Sequence, residues 1–316
     1  MLLVACGGAS KAPAESAKPE DVPSAPSEKP EMEAAPVSEE QDALERSLAL
    51  SRGGRLFDKW WVEGKVEFSP DDSSTDAPDG KGGPFGDGTL PGADGKPLSN
   101  PGHDYRIKNL FGWDLRGAEG IYGPKYQDKS YVLKTNLLTD DADRGAWIGR
   151  FTNGHGELPA YGKVLSSEQI GLIVDFILAV RDGSLAAPQG VFELSESAPK
   201  NYVLLAGGDA KRGQELIETQ CSGCHGADGT SFLIDGKYSM GMYGRAKGYE
   251  TWIKVLNGQP GTKMGPQLTA HAGFEAQSLA LKDVLAALCD RSVYPKGEAK
   301  GDDVPDGDPR CGAYLK

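Results

Sequence analysis

Apolar residues recur at helical spacing in three stretches of this chain. Ile170, Ile173, Val174, Ile177 and Leu178 line one face of a segment that opens on Ser166 and Gln169, a capping-box pair, and ends before Gly183. Leu281, Val284, Leu285 and Leu288 repeat the i, i+3, i+4, i+7 pattern within Glu275–Arg291. Between them, Asp209 to Gln220 reads as an amphipathic helix, with Asp209 near its cap, Leu216 and Ile217 on one face, and Gly213 placed for a close helix crossing. The predicted fold class is all-α.

Two stretches show no such pattern. Residues 7–41 are Ala, Pro, Ser, Glu and Lys with almost no aromatic or branched apolar side chains, a composition that cannot bury enough surface to fold and reads as a disordered linker. Ser69 to His103 is rich in Gly, Asp, Pro and Ser and is long for a loop without a purpose. Its Asp76, Asp79, Asp87 and Asp94 do not meet the spacing of a calcium loop, so a disordered or partner-binding loop is expected. His103 and His155 are candidates for an extra metal, although lone histidines in loops are usually ordinary polar residues. No segment approaches the roughly 18 apolar residues of a membrane span.

The 316 residues, 38% hydrophobic and 25% charged, suffice for two domains once the linker is set aside. The net charge of -12 is uneven: residues 7–41 carry three basic against eight acidic residues, whereas Gly207 to Arg291 carries nine of each. Neither region has the basic stripe that a phosphate backbone requires, so nucleic acid is not an expected partner. The five cysteines divide into three groups. Cys289 and Cys311 lie outside any metal-ligand spacing and flank an acidic tail; they pair in an oxidising compartment and stay free thiols otherwise. Cys6 ends Leu3, Val4, Ala5, Cys6, which resembles a bacterial lipobox, where the cysteine becomes a lipidated N-terminus. Met1 to Ala5 is too short for a secretory signal, so either the start lies further upstream or the match is chance.

Cys221 and Cys224 belong to Cys221, Ser222, Gly223, Cys224, His225, a CxxCH motif. Two thiols three residues apart on one helical turn straddle a porphyrin edge and add across its vinyl groups, while the next imidazole turns under the ring to reach iron. A zinc site would need a second Cys or His pair that the neighbourhood lacks. Residues 207–292 thereby resemble the class I cytochromes c, which place CxxCH after a short helix and bring a methionine from a Pro- and Gly-containing loop as sixth ligand. Asn257, Gly258, Gln259, Pro260, Gly261, Thr262, Lys263, Met264 is similar to that loop and puts Met264 at the ligand position; Met240, Met242 and His271 are the competitors. Trp252 and the helix from Glu275 match the family's pattern as well. The resemblance implies one covalent haem c on Cys221 and Cys224, with iron held by His225 and Met264, low-spin and high in potential.

An internal comparison extends the resemblance to residues 42–190. Ile107, Leu110 and Phe111 stand where the two cysteines and the histidine would be, Trp147 and Ile148 mirror Trp252 and Ile253, and Asn153 and Gly154 mirror Asn257 and Gly258. Leu158, before Pro159, falls at the axial-methionine position, and Gly53 to Trp61 looks like an opening helix with two core tryptophans. All four ligand positions are apolar, as a domain needs when it must fill a porphyrin-sized volume instead of leaving a cavity.

The expected organisation is a signal end with lipobox at 1–6, a linker at 7–41, a haemless cytochrome-like domain at 42–190 containing the loop 69–103, an inter-domain linker at 191–206, a haem domain at 207–292 and a disulfide-linked tail at 293–316. The resemblance implies an electron-transfer protein rather than an enzyme. It would be lipid-anchored on the periplasmic or outer face of a bacterial membrane and would work with redox partner proteins such as other cytochromes or a respiratory oxidoreductase. A subunit of a two-domain cytochrome dehydrogenase, for instance in sulfur-compound oxidation, and a fixed relay subunit of a respiratory complex are the alternatives.

Overall fold

Helices dominate the computed structural model, which describes residues 38–70, 80–99, 105–123 and 131–316. Cys6, most of the linker, Asp76, Asp79 and His103 lie outside the described residues. The first helix, α1 (Glu39–Glu63), starts ahead of the boundary expected at residue 42. Glu39, Glu40 and Asp42 in its first turn complement the positive end of the helix dipole, so the acidic end of the linker composition is also a helix start. Lys59 interrupts it with extended dihedrals, φ -150° and ψ 79°.

Four elements follow in the N-terminal half: the short hairpin β1 (Phe68–Ser69) and β2 (Lys81–Gly82), the short helix α2 (Ile107–Phe111), and helices α3 (Arg144–Asn153) and α4 (Ser167–Arg181). Ser166 caps α4 by accepting from the Gln169 amide, and the Gln169 side chain reaches back, a complete capping box. A second hairpin, β3 (Phe192–Leu194) and β4 (Tyr202–Leu204), occupies the stretch expected as a bare linker. Its order has a plain cause: Phe192 and Tyr202 pack edge to face with centroids 5.2 Å apart, and the buried Tyr202 hydroxyl accepts from the Gly248 amide at 2.9 Å. The C-terminal half then runs α5 (Ala210–Gln220), α6 (Ser222–His225), α7 (Met240–Ala246), α8 (Gly248–Asn257) and α9 (Gly273–Leu288).

The two halves repeat one scheme. In each, a glycine on the opening helix lets it cross the closing helix at backbone distance. A Cβ on Gly53 of α1 would stand 2.1 Å from the Leu172 carbonyl oxygen of α4, and one on Gly213 of α5 would stand 1.9 Å from that of Asp283 on α9. In each, a one-turn helix stops at a glycine of nearly the same dihedrals, Gly112 at φ 77°, ψ 157° and Gly226 at φ 81°, ψ 162°. In each, a tryptophan-bearing helix ends in Asn–Gly with the glycine at positive φ, Gly154 after α3 and Gly258 after α8. Residues 39–316 nevertheless form one compact unit, and its main hydrophobic core runs from Leu56, Trp60 and Phe111 through to Trp252 and Leu285.

The tail is packed. Cys289, at the end of α9, is disulfide-bonded to Cys311, and Asp303 accepts from Nε and Nη2 of the fully buried Arg245 at 2.9 and 2.7 Å. Among the described residues of the Gly-rich loop, Asp87 accepts from the amide and hydroxyl of Thr89 and Asp94 from the Lys96 amide, so both carboxylates close local turns. Leu90 is fully buried, and the Pro91 carbonyl accepts from the Ala160 amide, which seats the loop against the Leu158 region.

Candidate cofactor site

The CxxCH turn is held from behind by α5. Asp209 caps α5 by accepting from the Lys211 and Arg212 amides, while the buried Asp283 of α9 accepts from the Asp209 amide and from two guanidinium nitrogens of Arg212 at 2.9 and 3.0 Å. The helix hands over directly to α6: the Cys221 amide donates to Ile217, and the amides of Cys224 and His225 both donate to the Cys221 carbonyl. That one turn puts the three motif side chains together. Both thiols are free, Cys221 half-buried and Cys224 exposed. Burial, and secondarily Cys224, push the Cys221 thiol up to about 11, so it stays protonated at neutral pH.

Burial holds the His225 imidazole below the ordinary histidine value, which favours the neutral ring with a nitrogen lone pair, and its Nδ1 is buried without a hydrogen-bond partner. The ring lies 4.6 Å from that of Phe232, which is 46% exposed. Among the described residues no three His, Cys, Asp or Glu side chains are placed to hold a metal ion. No described helix is long and apolar enough to cross a membrane.

Met264 comes from a different element, the loop after α8. Gly258 takes φ 88°, the Gln259 amide donates to the Met264 carbonyl at 3.0 Å, and the Thr262 hydroxyl accepts from the Met264 amide, so the loop closes on itself with half-buried Met264 at its turn. Met240 and Met242 are buried on α7, Met240 against Ile217 and Leu288 in a small secondary core. His271 is half-buried, with Nδ1 unpartnered and its carbonyl held by Gln277. Trp252 is fully buried with its indole nitrogen unpartnered, as is the indole nitrogen of Trp147 at the matching place. His155 is exposed and its backbone pairs with Leu158.

The matching positions of the N-terminal half are filled. Ile107, Leu110, Phe111 and Leu158 are all buried, and Phe111 sits 6.1 Å from Trp147 and 6.3 Å from Phe151 by ring centroids. Phe151 packs on Tyr161 and Tyr161 on Trp60. Trp60 and Tyr161 both donate to the Tyr105 carbonyl, at 3.0 and 2.8 Å, which pins the chain two residues before α2.

Sequence reasoning missed a polar cluster where the halves meet. Asp58 of α1, buried, lies 3.1 Å from the Lys254 ammonium of α8 and 3.9 Å from that of Lys108 on α2. Burial pushes its carboxyl up, but Lys254 and Lys108 more than offset this and hold it below the ordinary aspartate value. The signal was an aspartate, followed by Lys59, between the apolar pairs Leu56–Phe57 and Trp60–Trp61, where an unpaired buried charge could not stand. No protein-family model matches the chain, nor does any curated protein or solved structure.

Proposed function

We propose that this chain is a c-type cytochrome that carries one covalent haem on Cys221 and Cys224 and transfers single electrons in the cell envelope. The carrying observation is the α6 turn: two unjoined thiols at i and i+3, one half-buried and one exposed, and, at the next position, an imidazole that burial favours neutral, with an orphaned ring nitrogen. Among the described residues no group of side chains is placed as a metal cage would require, whereas thioether attachment to a macrocycle asks for two thiols three residues apart with an imidazole at the next position. When bound, haem supplies a one-electron iron couple. In this reading Cys221 and Cys224 would fix the ring and His225 and Met264 would supply the two iron ligands, while Trp252, Ile253 and Leu268 belong to the buried apolar core. With both ligands supplied by side chains, such a site would favour electron transfer over chemistry on a bound substrate.

The repeated helix crossings and glycine-ended turns support reading residues 42–190 as a haemless counterpart of the same fold, filled by aromatic side chains. The Cys289–Cys311 disulfide supports an oxidising compartment, and with a lipid on Cys6 the protein would sit on a membrane of the envelope, working with other cytochromes or a respiratory oxidoreductase.

A dehydrogenase reading draws on one feature, a groove of about 760 Å³ between α1 and the Met264 loop that Arg52, Arg55, Lys65 and Lys263 border. Two of these four cations, Arg52 and Arg55, are already paired with Glu168 and Glu63, which weakens the groove as an anion site and favours the carrier.

Expression in a host that matures c-type cytochromes tests the reading. One haem per chain is expected by pyridine haemochrome, none on the Cys221→Ser, Cys224→Ser double variant, and loss of the far-red methionine-to-ferric-iron band in Met264→Ala but not in Met240→Ala. Two haems per chain, or none, would overturn it.

A further inference from the structure

The segment that ends α8 and starts the Met264 loop is bordered by α1, a helix of the other half. At the first point, Gly54 meets Asn257 so closely that a Cβ on Gly54 would lie 2.3–2.5 Å from the Asn257 amide group. Beside it, Arg55 donates to the Asn257 carbonyl at 2.8 Å, satisfying a carbonyl that the end of α8 leaves without a helical partner. One turn on, Asp58 holds the Lys254 ammonium at 3.1 Å, and that ammonium also bonds the side-chain oxygen of Gln259. The Gln259 amide in turn donates to the Met264 carbonyl. Beyond the kink at Lys59, Val62 lies against Gly261: a Cβ there would come within 2.4 Å of a Val62 methyl, and φ is +71°. Four successive contacts thus run from residue 254 to residue 261, and one continuous string, Asp58 to Lys254 to Gln259, ends on the backbone of Met264.

We infer that α1 of the N-terminal half is a splint for the sixth-ligand loop, and that Asp58 is a positioning residue for Met264. This rests on the haem reading above. The splint gives the emptied half a task that needs no cofactor of its own. Its own interior is close-packed, so it is stiff, and a stiff surface can hold a loop whose hydrogen bonds are few and mostly local. Asp58 suits the task because it is buried with two lysines. Removing its charge leaves Lys254 and Lys108 facing each other at the base of the loop, and the Gln259 anchor is released.

The test compares Asp58→Asn, Asp58→Glu, Val62→Ala and Arg46→Ala in the full haem-loaded chain, Arg46 being an exposed α1 residue that does not line the groove shared with the Met264 loop. Asp58→Asn is expected to lose most of the far-red ferric band, to let the ferrous protein bind carbon monoxide, and to lower the reduction potential. The amides of residues 258–266 should exchange hydrogen at least about tenfold faster, with far-ultraviolet circular dichroism unchanged. Val62→Ala, which removes only packing, should give the same changes in smaller degree; Asp58→Glu should restore part of each, and Arg46→Ala should change none. A haem-loaded Asp58→Asn protein with the band, the potential and the exchange all unaltered would overturn the splint while leaving the cytochrome reading intact. A chain that takes up no haem would overturn that reading instead, and exchange at 258–266 in the Asp58→Asn and Val62→Ala chains would then decide the splint alone.

Discussion

Phe111 and His225 are each the last residue of a one-turn helix that a glycine at positive φ stops. Around Phe111 the rings of Trp147 and Phe151 are buried, and the aromatic cluster continues through Tyr161 to Trp60. Around His225 the side chains are half-exposed: Cys224 and Phe232 face solvent, and the local core is the small group of Ile217, Met240, Val284 and Leu288. The scaffold geometry is shared while the filling differs. Backbone devices such as the Gly53 and Gly213 crossings define the scheme, and side-chain volume at four positions decides whether an interior closes on itself or presents reactive groups.

The most forceful way to break this comparison is to empty the filled half. Phe111→Ala removes a fully buried ring from the centre of the aromatic cluster and should cost about 3–5 kcal/mol of unfolding free energy, whereas Phe232→Ala, beside His225 and half-exposed, should cost less than about 1 kcal/mol. Urea denaturation of both variants measures this; equal losses would mean that the two interiors are equally packed. If the proposed single haem is present, the triple change Ile107→Cys, Leu110→Cys, Phe111→His, which writes the motif into the N-terminal half, should leave the haem count at one, because Trp147, Phe151 and Tyr161 still fill the volume.

A smaller effect separates the halves by their covalent chemistry. The Cys289–Cys311 bond closes a loop across a sequence separation of 22, so its loss through Cys311→Ser should cost about 2–4 kcal/mol, and wild type in reductant should match the variant. Among the described residues this cross-link belongs to the C-terminal half alone, where it ties α9 to the tail whose Asp303 holds Arg245.

How much of this the sequence announces depends on the range of the interaction. The helices α4, α5 and α9 are legible because a 3.6-residue period and a cap are local: Ser166 with Gln169 and Asp209 mark their starts where the structure has them. The closing helix is expected over Glu275–Arg291 and runs Gly273–Leu288, stopping where Cys289 turns toward its partner. Order in residues 191–206 and in the Gly-rich loop was not legible, because it comes from Tyr202 reaching Gly248 and Pro91 reaching Ala160, contacts with no sequence period. The CxxCH turn was wholly legible and its setting was not. Asp58 and Lys254 lie 196 residues apart, and nothing local to either names the other.

The subtlest contrast concerns one residue type at one matched place. Asp114 and Asp228 each follow the helix-ending glycine by two residues, yet they titrate in opposite senses. Asp114 is fully buried; desolvation outweighs the hydrogen bond it accepts from the Ile121 amide and pushes it up to about 6, while its second oxygen has no partner. Asp228 is exposed and held below the ordinary value by the Thr230 hydroxyl and amide. A raised folded-state pKa means that the native chain binds the proton more tightly than the unfolded one. Stability from Asp114 is therefore complete below pH 4 and is lost as the pH rises through about 6. Asp228 works the other way, and its contribution disappears in acid. Unfolding free energies of wild type, Asp114→Asn and Asp228→Asn at pH 4, 5, 6 and 7 separate the two. The wild-type value should fall relative to that of Asp114→Asn by about 1–3 kcal/mol between pH 4 and 7, whereas Asp228→Asn should run parallel to wild type from pH 5 to 7, with any difference between them narrowing at pH 4. A wild-type curve parallel to that of Asp114→Asn would show that the carboxyl at this buried place is solvated, and that the interior of the N-terminal half is as open there as its counterpart.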